Sequence, residues 1–229
     1  MAQAHSGRES EEHLRKTISD DGYIFLKQWH PEQPTQEIVS RLGRPLTFGK
    51  ASSFHRIAPT ASAPPNTYSG MYGLDSFPLH SDMAHWRKPP RYLFLRCFKG
   101  SRDVHTIVAD GNEIVSRAML TSMLTALVRP RRPQQGSLPL LPLYRPPRLD
   151  QPSMLRWDEK FIVPASRSGA SAMRAIRIVL PIIQKTTVAL ADRGDTLVID
   201  NWRMLHGRSV VPEAHVDRII DRAYLEELH

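Results

Sequence analysis

The apolar residues of this chain come in runs of about four to eight, each stopped by a turn signal, and that shortness is the strongest limit on its fold. Tyr23–Leu26, Phe77–Asp82, Arg91–Phe98, Val104–Ala109, Thr187–Leu190 and Thr196–Asp200 read as strands. Helical patterns are fewer. Residues 9–19 form one, ended by Asp20-Asp21-Gly22, and residues 34–42 another, with Gly43 as the C-terminal cap and Pro45 just beyond it. Residues 112–128 read as the one long helix of the middle region, 173–184 mix helical and extended signals, and 217–225 fit either state. The last two strands, joined by the turn Arg193-Gly194-Asp195, have a hairpin pattern. With no regular βαβ alternation and no solenoid repeat, the expected class is α+β, mainly β: an antiparallel sandwich or barrel with flanking helices.

Two stretches break this pattern. Ser52 to Ser76 is rich in Ala, Pro, Ser and Gly, as expected of irregular chain over a surface or a site mouth. Residues 129–153 hold prolines at 130, 133, 139, 142, 146, 147 and 152, which excludes a regular helix or a central strand. The leucines between them, with Tyr144 and Trp157, predict a packed excursion or lid over about 129–160.

At 229 residues, 41% hydrophobic and 24% charged, the chain is expected to be one soluble domain over 1–229. It lacks the ~18 consecutive apolar residues of a membrane span, and its polar opening is not a signal peptide, so the cytoplasm is the expected compartment. Cys97, the single cysteine, reads as a buried free thiol. The net charge of +8 raises the question of nucleic acid, but the arginines are scattered and lack interleaved aromatics. A solvated basic face and small anionic substrates suit that charge better, and a homo-oligomer stays open.

In Phe77-Pro78-Leu79-His80-Ser81-Asp82, His80 and Asp82 are two apart in a strand pattern, so both point to one face and can bind one metal. A second histidine, His206, follows a buried strand and a turn in Asp200-Asn201-Trp202-Arg203-Met204-Leu205-His206. Two histidines and one carboxylate on one face of an octahedron suit Fe(II) and leave three positions open for a bidentate co-substrate and dioxygen. An anionic co-substrate needs a cationic clamp, and the guanidinium fork is the best match. Asp217-Arg218-Ile219-Ile220-Asp221-Arg222 supplies two arginines on one face. Read alone, they fit equally well a surface element with i,i+4 pairs to Asp217 and Asp221.

These segments, in this order, resemble the 2-oxoglutarate-dependent oxygenases of the taurine dioxygenase and clavaminate synthase type. The likeness runs from Asp21-Gly22-Tyr23-Ile24-Phe25-Leu26, through the His80 segment with Pro89-Pro90, to Asp200–Ser209 and Asp217-Arg218. It implies a double-stranded β-helix (jelly-roll, cupin-like) core, iron held by His80, Asp82 and His206, and Arg218 pairing with the distal carboxylate of 2-oxoglutarate. It further implies that Thr106 hydrogen-bonds that carboxylate, although an ordinary strand threonine fits as well, and that Arg222 meets an anionic group of the substrate. The implied reaction consumes O2 and 2-oxoglutarate, releases succinate and carbon dioxide, and hydroxylates, desaturates or cyclises an unactivated C–H of a small, amino-acid-like or anionic metabolite. The loop Gly100-Ser101-Arg102-Asp103-Val104-His105 departs from the family's glycine-rich approach to the threonine, and the chain is shorter than most members.

Two competitors share the three ligands: a zinc hydrolase and a non-enzymatic cupin-like binding protein. A carboxylate clamp at Arg218 has no use in the hydrolase. His85 and His105 near the site, and Trp86, Trp157 and Trp202, have core or solvated positions as their default.

Overall fold

The computed structural model describes residues 2–47, 54–60, 63–118, 120–133, 136–149 and 151–229. In chain order they form α1 (Ala2–Asp21), β1 (Tyr23–Leu26), α2 (Thr35–Leu42), β2 (Gly43–Pro45), β3 (Phe54–Ile57), α3 (Tyr68–Tyr72), β4 (Phe77–His80), β5 (Tyr92–Lys99) and β6 (His105–Asp110). The excursion follows as α4 (Gly111–Arg117), α5 (Leu120–Leu124), β7 (Leu127–Pro130), β8 (Leu141–Pro142), β9 (Tyr144–Arg145), β10 (Met154–Leu155), β11 (Ile162–Pro164) and α6 (Arg167–Val179). The chain closes with β12 (Thr186–Ala189), β13 (Thr196–Asp200), β14 (Met204–Arg208) and β15 (Ile219–Leu228).

Two antiparallel sheets face each other. The major sheet runs β1-β13-β5-β15, with β2 and β3 sharing the far edge of β15, and the minor sheet runs β12-β6-β14-β4. Leu93, Leu95, Leu197, Ile199 and Ile220 of the major sheet meet Val108, Val188 and Met204 of the minor sheet in a common core. Because β13 and β5 are central, both of their faces need cover: α1 and α2 lay Leu14, Ile18, Ile38, Val39 and Leu42 on the outer side against Phe94 and Val198. All five residues of β13 are accordingly buried. The excursion and α6 cover the outer side of the minor sheet, where Trp157, Ile162, Met173 and Ile176 pack with Ala109 and Leu205. This is a jelly roll with flanking helices, as the resemblance implies.

Several local expectations are corrected. The hairpin over 187–200 does not form: β12 pairs with β6, whereas β13 pairs with β1 and β5 in the other sheet. The turn is instead a crossover, fastened by Asp195, whose carboxylate accepts from the backbone N–H groups of Gln28, Ala191 and Asp192. The helix expected over 112–128 is two short helices and a strand. Its apolar positions Ile114, Met123, Ala126 and Val128 are buried as periodicity requires, but short segments bury them separately and residue 119 lies outside the described residues. The longest helix after α1 is α6, capped by Ser166 Oγ accepting from Gly169 N–H at 2.9 Å and ended just before Pro181.

Gly43 caps α2 as expected, its backbone N–H donating to the Val39 carbonyl, but not in a left-handed turn. It is extended, with φ 174°, and goes straight into β2, where a Cβ would come 2.0 Å from the Glu227 carbonyl oxygen. Within the proline-rich stretch β7 is the middle strand of a small sheet. Pro130 is tolerated at its end because only β11 lies opposite, while β8 pairs with Leu127 and Val128. Of Ser52–Ser76, β3 and α3 are ordered elements, and residues 52, 53, 61 and 62 lie outside the described residues. No helix among the described residues is long and apolar enough to cross a membrane.

Candidate metal centre and anion cavity

His80 ends β4 and stands opposite His206 of β14, their ring centroids 4.5 Å apart. The sequence pattern carried the strand to Asp82, yet β4 stops at His80, and Asp82 follows in a tight turn in which Met83 has φ 56°. What places Asp82 is Asn201, at the turn after β13. Its Oδ1 accepts from Asp82 N–H at 2.7 Å, and its Nδ2 donates to the carbonyls of Asp82 (3.0 Å) and Pro90 (2.9 Å). Ligand atoms of His80, Asp82 and His206 all lie within 4.8 Å of one another.

The donor geometry fits a divalent ion. His80 Nδ1–H donates to the Pro78 carbonyl at 2.8 Å, which leaves the Nε2 lone pair facing Asp82 Oδ1 at 3.3 Å. His206 Nε2 is 3.7 Å from Asp82 Oδ2. Burial opposes ionisation of Asp82, but the flanking His206 and His80 outweigh it and hold the carboxyl well below its usual range. The two histidines shift in opposite directions: burial, with His80 beside it, lowers His206, whereas at His80 burial is outweighed by Asp82, which raises it.

These side chains line a cavity of about 390 Å³ between the sheets, together with Thr106, Arg218 and Arg222. All six residues singled out from the sequence therefore share one space. The alternative reading of the two arginines as a surface i,i+4 pattern does not hold. Asp221 turns away to accept from Arg56 and Thr35, and Asp217 pairs with Lys99. Arg218 is 7% exposed, makes no ion pair among the described residues, and has a buried Nε with no hydrogen-bond partner. Burial pushes its pKa down to about 10, so it remains a cation at neutral pH. Burial opposes the charge of Arg222 too, but Tyr224 and Asp82 outweigh it and raise its pKa. Thr106, 5% exposed, sits opposite Arg208 in the β6–β14 ladder.

Sequence reasoning assigned no role to several residues that build this site. Tyr224 donates its hydroxyl to Asp82 Oδ2 at 2.7 Å. Tyr68 of α3 stacks on the His80 ring at 4.0 Å and hydrogen-bonds Asp158 of the excursion. Arg156, 2% exposed, donates to the carbonyls of Ala84, Trp86 and Arg87 and so ties the excursion to the chain just past Asp82. Arg208 also faces the cavity, anchored to the carbonyls of Gly73 and Asp75 at 2.8 Å each. Tyr224 was legible by period two from Arg222, whereas Tyr68, Asp158 and Arg156 are joined to the site only by long-range packing. Trp157 is a core residue, and His85 stacks on Phe161 at 5.2 Å.

An antiparallel double-stranded β-helix with two histidines and an aspartate at one end of its interior defines a class: the chain has the fold of the iron- and 2-oxoglutarate-dependent oxygenases. Among solved structures, asparagine oxygenase in complex with Fe(II), 2S,3S-3-hydroxyasparagine and succinate matches with a TM-score of 0.70 at 16% identity, covering 97% of this chain and 79% of that one. OrfP, a non-heme iron oxygenase in complex with Fe and alpha-ketoglutaric acid, matches at 0.73 and 20%, covering 96% and 80%. PvcB, an Fe, alpha-ketoglutarate dependent oxygenase from an isonitrile synthetic pathway, matches at 0.67 and 15%, covering 96% and 81%. No protein-family model matches the sequence, and a search of curated proteins gives no match.

Proposed function

We propose that this chain is an Fe(II)- and 2-oxoglutarate-dependent oxygenase that hydroxylates, desaturates or cyclises an unactivated C–H of a small amino-acid-like or anionic metabolite. One observation carries the reading: the triad His80, Asp82 and His206 shares a cavity with a buried guanidinium, Arg218, that has no anionic partner among the described residues. A hydrolytic zinc site needs no such cation, whereas a dicarboxylate chelated at the triad by one end requires one for the other.

His80, Asp82 and His206 would hold the iron. With 2-oxoglutarate and O2 the bound iron supplies oxidative decarboxylation and removal of hydrogen from carbon, chemistry no side chain provides. Arg218 binds the remote carboxylate, and the Thr106 hydroxyl donates to the same group. Leu93, Leu95, Ile57 and Ile220 line the space and exclude water. A carboxylate at Asp82 takes the position that a halide would need, which favours oxygenation over halogenation. Arg222, inside the same cavity, meets the substrate's own anionic group. Amino-acid substrates are further supported by the hydroxyasparagine bound in asparagine oxygenase and the (3S)-hydroxy-L-Arg bound in an OrfP mutant.

Anaerobic addition of Fe(II) and 2-oxoglutarate is expected to produce the visible charge-transfer band of a chelated complex. Arg218→Ala should abolish the band at the same 2-oxoglutarate concentration, and with O2 the wild type should release succinate. A wild type that binds zinc, gives no band and releases no succinate would exclude the oxygenase.

A further inference from the structure

The residue at position 82 is held at two points, its backbone and its carboxylate, by two elements of the major sheet. Asn201 fixes its backbone from the turn after β13, but this leaves the side chain free to rotate. The second grip is Tyr224, which is 3% exposed and lies on β15 of the major sheet. Period two places Arg222 and Tyr224 on one inward face of that strand, and from there the phenol crosses the interior to Asp82 Oδ2 at 2.7 Å. A buried hydroxyl must find an acceptor, and here it meets one oxygen of an ionised carboxylate, the stronger kind of hydrogen bond. Held this way, Oδ1 faces His80 Nε2 at 3.3 Å and Oδ2 faces His206 Nε2 at 3.7 Å.

We infer that Tyr224 is a positioning residue for the metal carboxylate: by donating to Oδ2 it fixes the Asp82 rotamer and so the direction in which the carboxylate faces the two histidines. This rests on the reading of His80, Asp82 and His206 as metal ligands. Arg222, whose guanidinium lies 5.4 Å from the Tyr224 ring, sits on the same face, so the strand that brings the cations to the cavity also sets the carboxylate.

The test is titration of the metal-free full-length chain with Co(II), followed by its d–d absorption. Tyr224→Phe keeps the ring and its packing and removes only the donor. It is expected to weaken Co(II) binding roughly 10- to 100-fold and to change the d–d spectrum, with the melting temperature of the metal-free chain little altered. Tyr224→Met, which fills the space with a flexible side chain but offers no donor, should show the same loss. Wild-type Co(II) binding matched by both variants in affinity and spectrum overturns the inference alone. A wild-type chain that takes up no Co(II) overturns the metal reading and this inference with it.

Discussion

Asn201 shows how much of this site depends on one uncharged side chain. It is 1% exposed and satisfies three backbone groups, two of them on Asp82. Asn201→Ala strands those groups in the interior, so it is expected to cost roughly 1–3 kcal/mol of stability for each group left unpaired. It should also weaken Co(II) binding, and urea denaturation with metal titration reads both effects. Asp158 makes the opposite case. Burial raises its pKa from 3.8, so the folded chain holds that proton more tightly than the unfolded one does. Its contribution to stability is full below about pH 4 and is lost as the pH climbs through the raised value. Asp158→Asn keeps an oxygen for the N–H groups of Lys160 and Phe161 and offers Tyr68 an amide. The variant is expected to be more stable than wild type at pH 7, with the two converging in acid, as unfolding across pH would show. No such difference would mean that the Asp158 charge is already compensated where it lies.

Among the elements, β4 and β14 decide whether the two histidines meet. At Gly207 a Cβ would lie 2.6 Å from the Phe77 carbonyl oxygen, a backbone atom that cannot step aside. Gly207→Ala must therefore push β4 off β14 and carry His80 away from His206. Expected are a loss of about 0.5–3 kcal/mol in stability and a fall in metal affinity, measured by chemical denaturation and Co(II) titration. What the sequence told about elements follows from what periodicity encodes. β1, β5, β6 and β13 were legible because each is a short apolar run with a turn at its end. Which sheet a strand joins was not: Thr187–Leu190 and Thr196–Asp200 look like one hairpin, and only the crossover at Asp195 separates them. The helix α6 was legible only in part, with 173–184 mixing helical and extended signals; its buried Gly169, Ala172, Met173, Ile176 and Val179 keep helical spacing, and its Ser166 cap is a local signal that was there to be read. The site residues were easier to single out, since His80, Asp82, His206, Arg218 and Arg222 are reactive types at fixed spacings, and all five line one cavity. Their partners Tyr68, Arg156 and Asp158 are set by tertiary contacts that no local pattern specifies.

For the molecule as a whole, ligand binding and folding are linked. The triad draws on β4, the turn after it and β14, so a metal that binds only the folded chain must stabilise it. Co(II) at a hundred times its dissociation constant is expected to add about 2.7 kcal/mol. The melting temperature should rise accordingly and fall back with a chelator, and an unmoved transition would argue against a preformed site. The strand β15 extends this linkage to the order of folding. It lies between β5 on one side and β2 and β3 on the other, so residues 219–228 close a sheet whose remaining edges come largely from the first hundred residues. Pairings so distant in sequence are slow to form. Because Arg218, Arg222 and Tyr224 arrive with that strand, no half-assembled species owns both the ligands and the cations. Under the proposed function, turnover would wait until β15 has joined the sheet and sealed the interior.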